Sequence, residues 1–270
     1  MIRFWYAVFG GLMLLFLASS AGARHKGKIC STPREMTRFK VHLPNTARAM
    51  RTHGPLGIVA IGSSSTAGAG ASDLAHAYPA LLGQELQQRW PGVAMTVTNK
   101  GIGGELAAQM LARFDRDVLS YRPQLVIWQT GSNHLLKSES IDGYAETLRD
   151  GISRLKAAQT DVVLMDPQFA PRILARRNYP SIVDSIAAVA SDENVAVFSR
   201  FAVMRHWITS GQYKMQEIVS NDELHMNDLS YSCIARQLAD SLLDATGAEA
   251  EQRPSFEGTK EQGSVSDMRN

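Results

Sequence analysis

The chain carries no dense basic run, and its formal net charge is only +2 over 270 residues. Neither nucleic acid nor an electrostatic membrane anchor is therefore indicated. No Lys follows the glycines of the Gly/Ser-rich stretch at 62–70, so a P-loop is absent, and the dinucleotide spacing G-x-G-x-x-G is missing. The apolar run that begins at Phe4 falls short of the ~20 residues a spanning helix needs. No cysteine follows that run directly, which argues against a lipid-anchored lipoprotein. What remains is a chain of ordinary apolar and charged content, long enough for one sizeable core.

The N-terminus has the three parts of a secretory leader. Arg3 gives a positive start, residues 4–18 are apolar, and Ala21-Gly22-Ala23 offers a small-residue cleavage site. Residues 1–23 are thus expected to be a signal peptide, and the mature protein is expected to be exported, periplasmic or secreted, with no stable membrane anchor. Export places Cys30 and Cys233 in an oxidising compartment, where a bridge between them would persist. Two unpaired thiols, with Cys233 buried in a helix, is the alternative.

Short apolar runs at 56–61, 93–98, 124–129, 162–165 and 195–198 alternate with amphipathic stretches at 77–90, 106–121, 144–157, 179–190 and 228–245. Alternation of this kind predicts an α/β fold, a parallel sheet covered by helices on both faces. The runs lack strict polar alternation, as strands buried on both sides do. Residues 24–55 are basic and irregular and read as an N-terminal extension. Residues 247–270 are polar and read as a disordered tail, leaving 56–246 as the expected domain.

Three serines, Ser63, Ser64 and Ser65, follow the first strand. Loops beyond the carboxyl ends of parallel strands are where ligands bind. A serine nucleophile needs a base and a group that orients the base. Asp222-Glu-Leu-His225 can supply both, although such a spacing arises often by chance and a solvated acidic helix start is the commoner explanation. Asn99-Lys-Gly-Ile-Gly-Gly104 follows the second strand, and Gly131-Ser-Asn133-His134 follows the third. A glycine N–H and an asparagine amide suit a developing oxyanion. Singly, each segment is better explained as a turn; the four in this order are harder to dismiss.

In these four blocks the sequence resembles the SGNH hydrolases, also called GDSL-type esterases and lipases. Gly62, Ser64, Thr66 and Gly68 match the first block, with Ser63 where that family has Asp. Asn99, Gly101 and Gly104 match the second block. Gly131 and Asn133 match the third, with His134 replacing an Asp, and Asp222 and His225 match the last. The resemblance implies a three-layer α/β/α sandwich around a mostly parallel five-stranded sheet of flavodoxin-like type. It implies Ser64 as nucleophile, His225 as general base and acid, and Asp222 as the group orienting His225. Ser64, Gly104 and Asn133 would form the oxyanion hole. No cofactor or metal is implied, and His134, His225 and Asp222 are not spaced as metal ligands.

Substrate is less legible. The stretches between blocks are short, so an open cleft is expected, suited to a short acyl group on a polar carrier such as an acetylated or succinylated glycan. Ser63, His134 and Gln168 are candidate substrate contacts; a loop histidine bonded to backbone is the plainer role for His134. Trp128, Phe169, Trp207 and Tyr213 could stack on sugars, core packing being the plainer role for most. Acyl transfer to a glycan hydroxyl, lipase or thioesterase action, and an inactive carbohydrate-binding relative are the competing readings.

Overall fold

In the computed structural model, residues 30–137 and 140–247 are described. The expected leader, the start of the extension and all of the expected tail beyond Gly247 lie outside the described residues. Five strands form where apolar runs occur: β1 (Leu56–Gly62), β2 (Met95–Gly101), β3 (Leu125–Gln129), β4 (Asp161–Met165) and β5 (Ala196–Phe198). All pair in parallel, in the order β2-β1-β3-β4-β5. Every residue of β3 and β4 is buried, as their unbroken apolar runs require. β2 has one neighbour only and is partly exposed, which its mixture of Thr, Asn and Lys permits.

The helices, in chain order, are α1 (Arg34–Thr37), α2 (Pro44–Arg51), α3 (Ser64–Ala67), α4 (Tyr78–Arg89), α5 (Ala107–Ala112), α6 (Phe114–Asp117) and α7 (Ser132–Lys137). They continue with α8 (Tyr144–Ala157), α9 (Pro171–Leu174), α10 (Tyr179–Asp192), α11 (Arg200–Thr209), α12 (Met215–Ile218) and α13 (Asp228–Thr246). Successive strand side chains point to opposite faces, so the sheet divides the core in two. Ile58, Ala60, Ile127 and Val163 pack with α2, α4, α11 and α13. Val59, Ile61, Trp128 and Leu164 pack with α5, α6, α8 and α10. Three layers result. Trp128 and Trp207 are both fully buried and so offer no sugar-stacking face.

Three departures from the sequence expectation have physical causes. The helix expected over 106–121 breaks at Arg113, whose buried guanidinium turns inward to Glu105, Asp117 and the Lys100 carbonyl. α11 was not expected from periodicity, although Ser199 caps it by accepting from the Ala202 N–H, with Phe201, Met204 and Trp207 buried along it. The region before β1, expected to pack as an irregular extension, does pack on the domain but forms α1 and α2. Phe39, Leu43, Ala47 and Met50 are buried there. Asp161, opening β4, accepts hydrogen bonds from Asn45 Nδ2 and from the Thr46 N–H and hydroxyl at the start of α2. The core therefore begins well before residue 56. No helix among the described residues is long and apolar enough to cross a membrane.

Cys30 and Cys233 are disulfide-bonded, with Cα atoms 5.5 Å apart. Gln237 on α13 also donates to the Cys30 carbonyl at 2.6 Å. Closing a loop of this length restricts the unfolded chain strongly. Replacing both cysteines by serine is expected to lower the free energy of urea unfolding by about 2–5 kcal/mol. An unchanged midpoint would show that the hydrogen bonds and packing of the N-terminal segment suffice.

Candidate functional site

The strand order places the site. The chain runs from β1 to β2 on one side, then crosses to β3 on the other side of β1. Loops leaving β1 and β3 diverge at this switch point and open a crevice beyond the carboxyl ends. Ser64 and Asn133 stand in those two loops, each just after its strand.

Ser64 opens the single turn of α3. The Ala67 N–H bonds the Ser63 carbonyl at 2.9 Å, and the Gly68 N–H bonds the Ser64 carbonyl at 3.0 Å. Gly68 then ends the turn at φ +101°, a conformation that favours glycine. The turn is pinned from below. Gln129 Oε1 accepts from the Ser63 N–H at 2.9 Å, the Ser63 hydroxyl at 3.2 Å and the Thr66 hydroxyl at 3.1 Å. Asn99 Nδ2 donates to the Thr66 carbonyl at 2.7 Å, while its Oδ1 accepts from the Gly101 N–H at 2.9 Å. A Cβ on Gly101 would sit 2.1 Å from the Ala67 nitrogen, so only glycine lets α3 lie this close to β2.

Asp222 and His225 are carried by the turn between α12 and α13. The Ser220 N–H bonds the His225 carbonyl at 2.8 Å, and Val219 bridges to Met226, so the ends of the turn are clamped together. Glu223 takes φ +61° inside it. His225 Nε2 lies 2.7 Å from Ser64 Oγ, and His225 Nδ1 is hydrogen-bonded to Asp222 Oδ2. Asp222 Oδ1 accepts from the Ser220 hydroxyl at 2.7 Å and from the Leu224 and His225 N–H groups at 2.9 Å. Partial burial works to raise the Asp222 pKa, but the bonds from Ser220, His225 and the two backbone N–H groups outweigh it. They hold the carboxyl well below the usual carboxylate range. Gly70 gives this turn room, since a Cβ there would meet the His225 Cβ at 2.7 Å.

Gly104 and Asn133, the two other donors expected from sequence, are joined through Glu105. Gly104, at φ +81°, follows β2, and the loop it belongs to passes close to Ser64. Asn133 Nδ2 spends one hydrogen on the Glu105 carbonyl at 2.9 Å, leaving its second. No hydrogen bond among the described residues engages the N–H of Ser64 or Gly104. This loop is braced in turn. Arg113 Nε donates to Glu105 Oε2 at 2.8 Å, and Lys137 Nζ donates to the Gly104 carbonyl at 2.6 Å.

The three candidate substrate contacts are placed differently. Ser63 is buried and committed to Gln129. Gln168 is buried, receiving Ser132 Oγ and Arg200 and donating to the Leu224 carbonyl at 2.9 Å. Both sit beneath the crevice rather than in it, because each satisfies buried polar groups there. His134 Nε2 bonds the Ser140 carbonyl at 2.7 Å and packs on Tyr144, the plainer of its two roles. Gln129, Arg113, Lys137 and Arg200 were missed by motif reading. Nothing in one sequence separates them from ordinary polar residues, since each matters through a partner distant in the chain. No group of His, Cys, Asp and Glu suited to a metal ion occurs among the described residues.

A profile of the non-GDSL lipase-like family matches residues 29–248. The acetylxylan esterase of Geobacillus stearothermophilus is 28% identical over 92 residues, which is 30% of this chain and 42% of that enzyme. A two-domain esterase active on acetylated mannans superposes with a TM-score of 0.69 at 21% identity, covering 80% of this chain and 58% of its own. TesA superposes at 0.59 with 22% identity, over 70% of this chain and 99% of its own. At such identities the solved structures establish the SGNH hydrolase fold. The chain spans little more than half the length of the two-domain esterase and less than half of the xylan esterase.

Gly101→Ala tests the close approach beneath Ser64. The variant is expected to melt several degrees lower, because α3 must lift from β2 and lose the Asn99 bond. A melting temperature within a degree of the wild type would show that the turn can shift freely.

Proposed function

Because this chain belongs to the non-GDSL lipase-like family, we propose that it is an exported serine esterase removing a short acyl group from a glycan. The observation that carries this reading is the hydrogen-bonded series Ser64 Oγ, His225, Asp222, assembled from loops far apart in sequence. The named esterases among its likenesses, which act on acetylated xylan or mannan, support the choice of a carbohydrate carrier. The disulfide and the leader-like N-terminus support an oxidising, exported location.

The chemistry follows from the geometry. Ser64 Oγ attacks the ester carbonyl while His225 Nε2 takes its proton. Asp222, kept ionised by its own hydrogen bonds, fixes the imidazole so that Nε2 faces the serine, and stabilises the imidazolium. The N–H groups of Ser64 and Gly104 and the second amide hydrogen of Asn133 meet the oxyanion. His225 returns the proton to the leaving sugar oxygen. Water, deprotonated by the same ring, attacks the acyl-serine, and the ring passes that proton to Ser64 Oγ as the acid leaves.

Ser64→Ala is expected to lower ester turnover at least about 10⁴-fold, while Ser65→Ala keeps most of it. Release of acetate from acetylated xylo-oligosaccharide is the measurement, and full activity in folded Ser64→Ala protein would refute the assignment. Asn133→Ala is expected to cost about 10²–10³-fold in kcat, read on the same substrate. Asp222→Asn should keep the fold with turnover reduced about 10⁴-fold. The depressed pKa of Asp222 also gives a sign for stability. Its contribution is present above the ordinary aspartate pKa and is lost as pH falls through the lowered one. The stability gap between wild type and Asp222→Asn should therefore narrow on acidification, as thermal melts at several pH values would show.

A further inference from the structure

Beside the crevice lies a groove of about 500 Å³, lined by Leu135, Leu136 and Lys137 from α7 and by Ala175, Arg176, Arg177 and Asn178 after α9. Its two walls are tied to the two halves of the proposed catalytic site. Lys137 holds the carbonyl of Gly104. On the other side, the Arg172 N–H at the start of α9 bonds the carbonyl of Glu223, inside the turn that carries Asp222 and His225. The groove therefore borders both segments that carry the proposed site.

The groove is lined by Lys137, Arg176 and Arg177, whose charges meet no carboxylate partner among the described residues. Arg89, Arg113, Arg149, Arg154 and Lys156 each have a carboxylate partner. Arg172, Arg176, Arg177 and Lys137 have none among the described residues, and Arg176 and Arg177 are exposed. Glu105 pairs with Arg113 and Asp222 serves His225, so neither carboxylate is committed to these cations. Cations concentrated along one concave wall raise the local concentration of anions, and guanidinium groups bind carboxylates through paired N–H bonds. The net charge of the chain is close to zero, so this wall is a local feature rather than a consequence of a basic protein.

We infer that the Lys137/Arg176/Arg177 groove binds a carboxylate of the substrate, making the enzyme selective for anionic acylated glycans. This rests on the esterase reading for its catalytic consequence but not for binding itself. The carboxylate has two chemical sources, an acidic sugar of the carrier or the free end of a dicarboxylic acyl group. Leu136, half-buried at the edge of α7, supplies an apolar surface that either the sugar ring or the acyl methylenes can cover.

The test compares the disulfide-bonded wild type with Arg176→Gln/Arg177→Gln. The substrates are an acetylated xylo-oligosaccharide, the same compound bearing a glucuronic acid branch, and the neutral oligosaccharide carrying a succinyl ester. At least one anionic substrate is expected to exceed the neutral one by about tenfold in kcat/KM, through KM, and to lose that advantage in the double variant. Neutral acetate release should be unchanged, and salt should erode only the anionic preference. Preference for the uronic acid substrate assigns the carboxylate to the carrier; preference for succinate assigns it to the acyl group. Equal kcat/KM on all three, or equal losses on all three in the variant, would overturn the inference. A calorimetric arm separates it from the esterase reading: Ser64→Ala protein is titrated with the uronic acid, succinylated and neutral oligosaccharides. Tighter binding of either anionic one without any hydrolysis by wild type would retain the groove and sink the esterase. Binding of none of the three, without hydrolysis, would sink both.

Discussion

A single helical turn, Ser64–Ala67, is held against the end of the sheet at a distance that no side chain beneath it would allow. Gly62 and Gly101, paired across β1 and β2, leave the space it occupies. Gln129 from β3 and Asn99 from β2 then fasten it through hydrogen bonds to its backbone and hydroxyls. The position of Ser64 is thus fixed by strands rather than by the loop that bears it. In the proposed mechanism, Ser64 so placed would need little reorganisation before reaction, which is the condition for a positioned group to be effective.

The remaining groups are brought to that fixed point by independent means. The His225 turn is closed on itself by backbone bonds and by the carboxylate of Asp222, so the imidazole arrives with its orientation set. Gln168 fastens the turn to the sheet through the Leu224 carbonyl, and is itself held by buried Arg200. On the opposite side, Arg113 and Lys137 hold the Gly104 loop at two points. Buried Arg113, Gln168 and Arg200 act here as struts, and they lie under the crevice rather than lining it. Ser63 and Gln168 belong to this supporting layer.

The same arrangement explains why a short chain can present an open site. The sheet is covered on both faces by long helices, and only short turns such as α3 and α9 crown its carboxyl edge. Under the proposed function such an open edge would leave room for a glycan carrier, and the anion site inferred in the neighbouring groove would give that carrier a direction along which to lie.

The strand pattern, the parallel sheet and the four blocks containing Ser64, Gly104, Asn133 and the Asp222/His225 pair were legible in the amino-acid order. Burial on both faces leaves unbroken apolar runs, and each block consists of residues close in sequence. The break at Arg113 and the helices of residues 34–51 were not legible, since both are decided by which side chains meet in three dimensions: Glu105, Asp117 and the Lys100 carbonyl for the first, Asp161 and α13 for the second. Nor could the sequence tell that Ser63 and Gln168 point away from solvent, or that Arg176 and Arg177 share a groove with Lys137. Periodicity and short spacing record what one segment does alone; which unlike segments meet, and which side chain faces the crevice, is settled only when the layers close around the sheet.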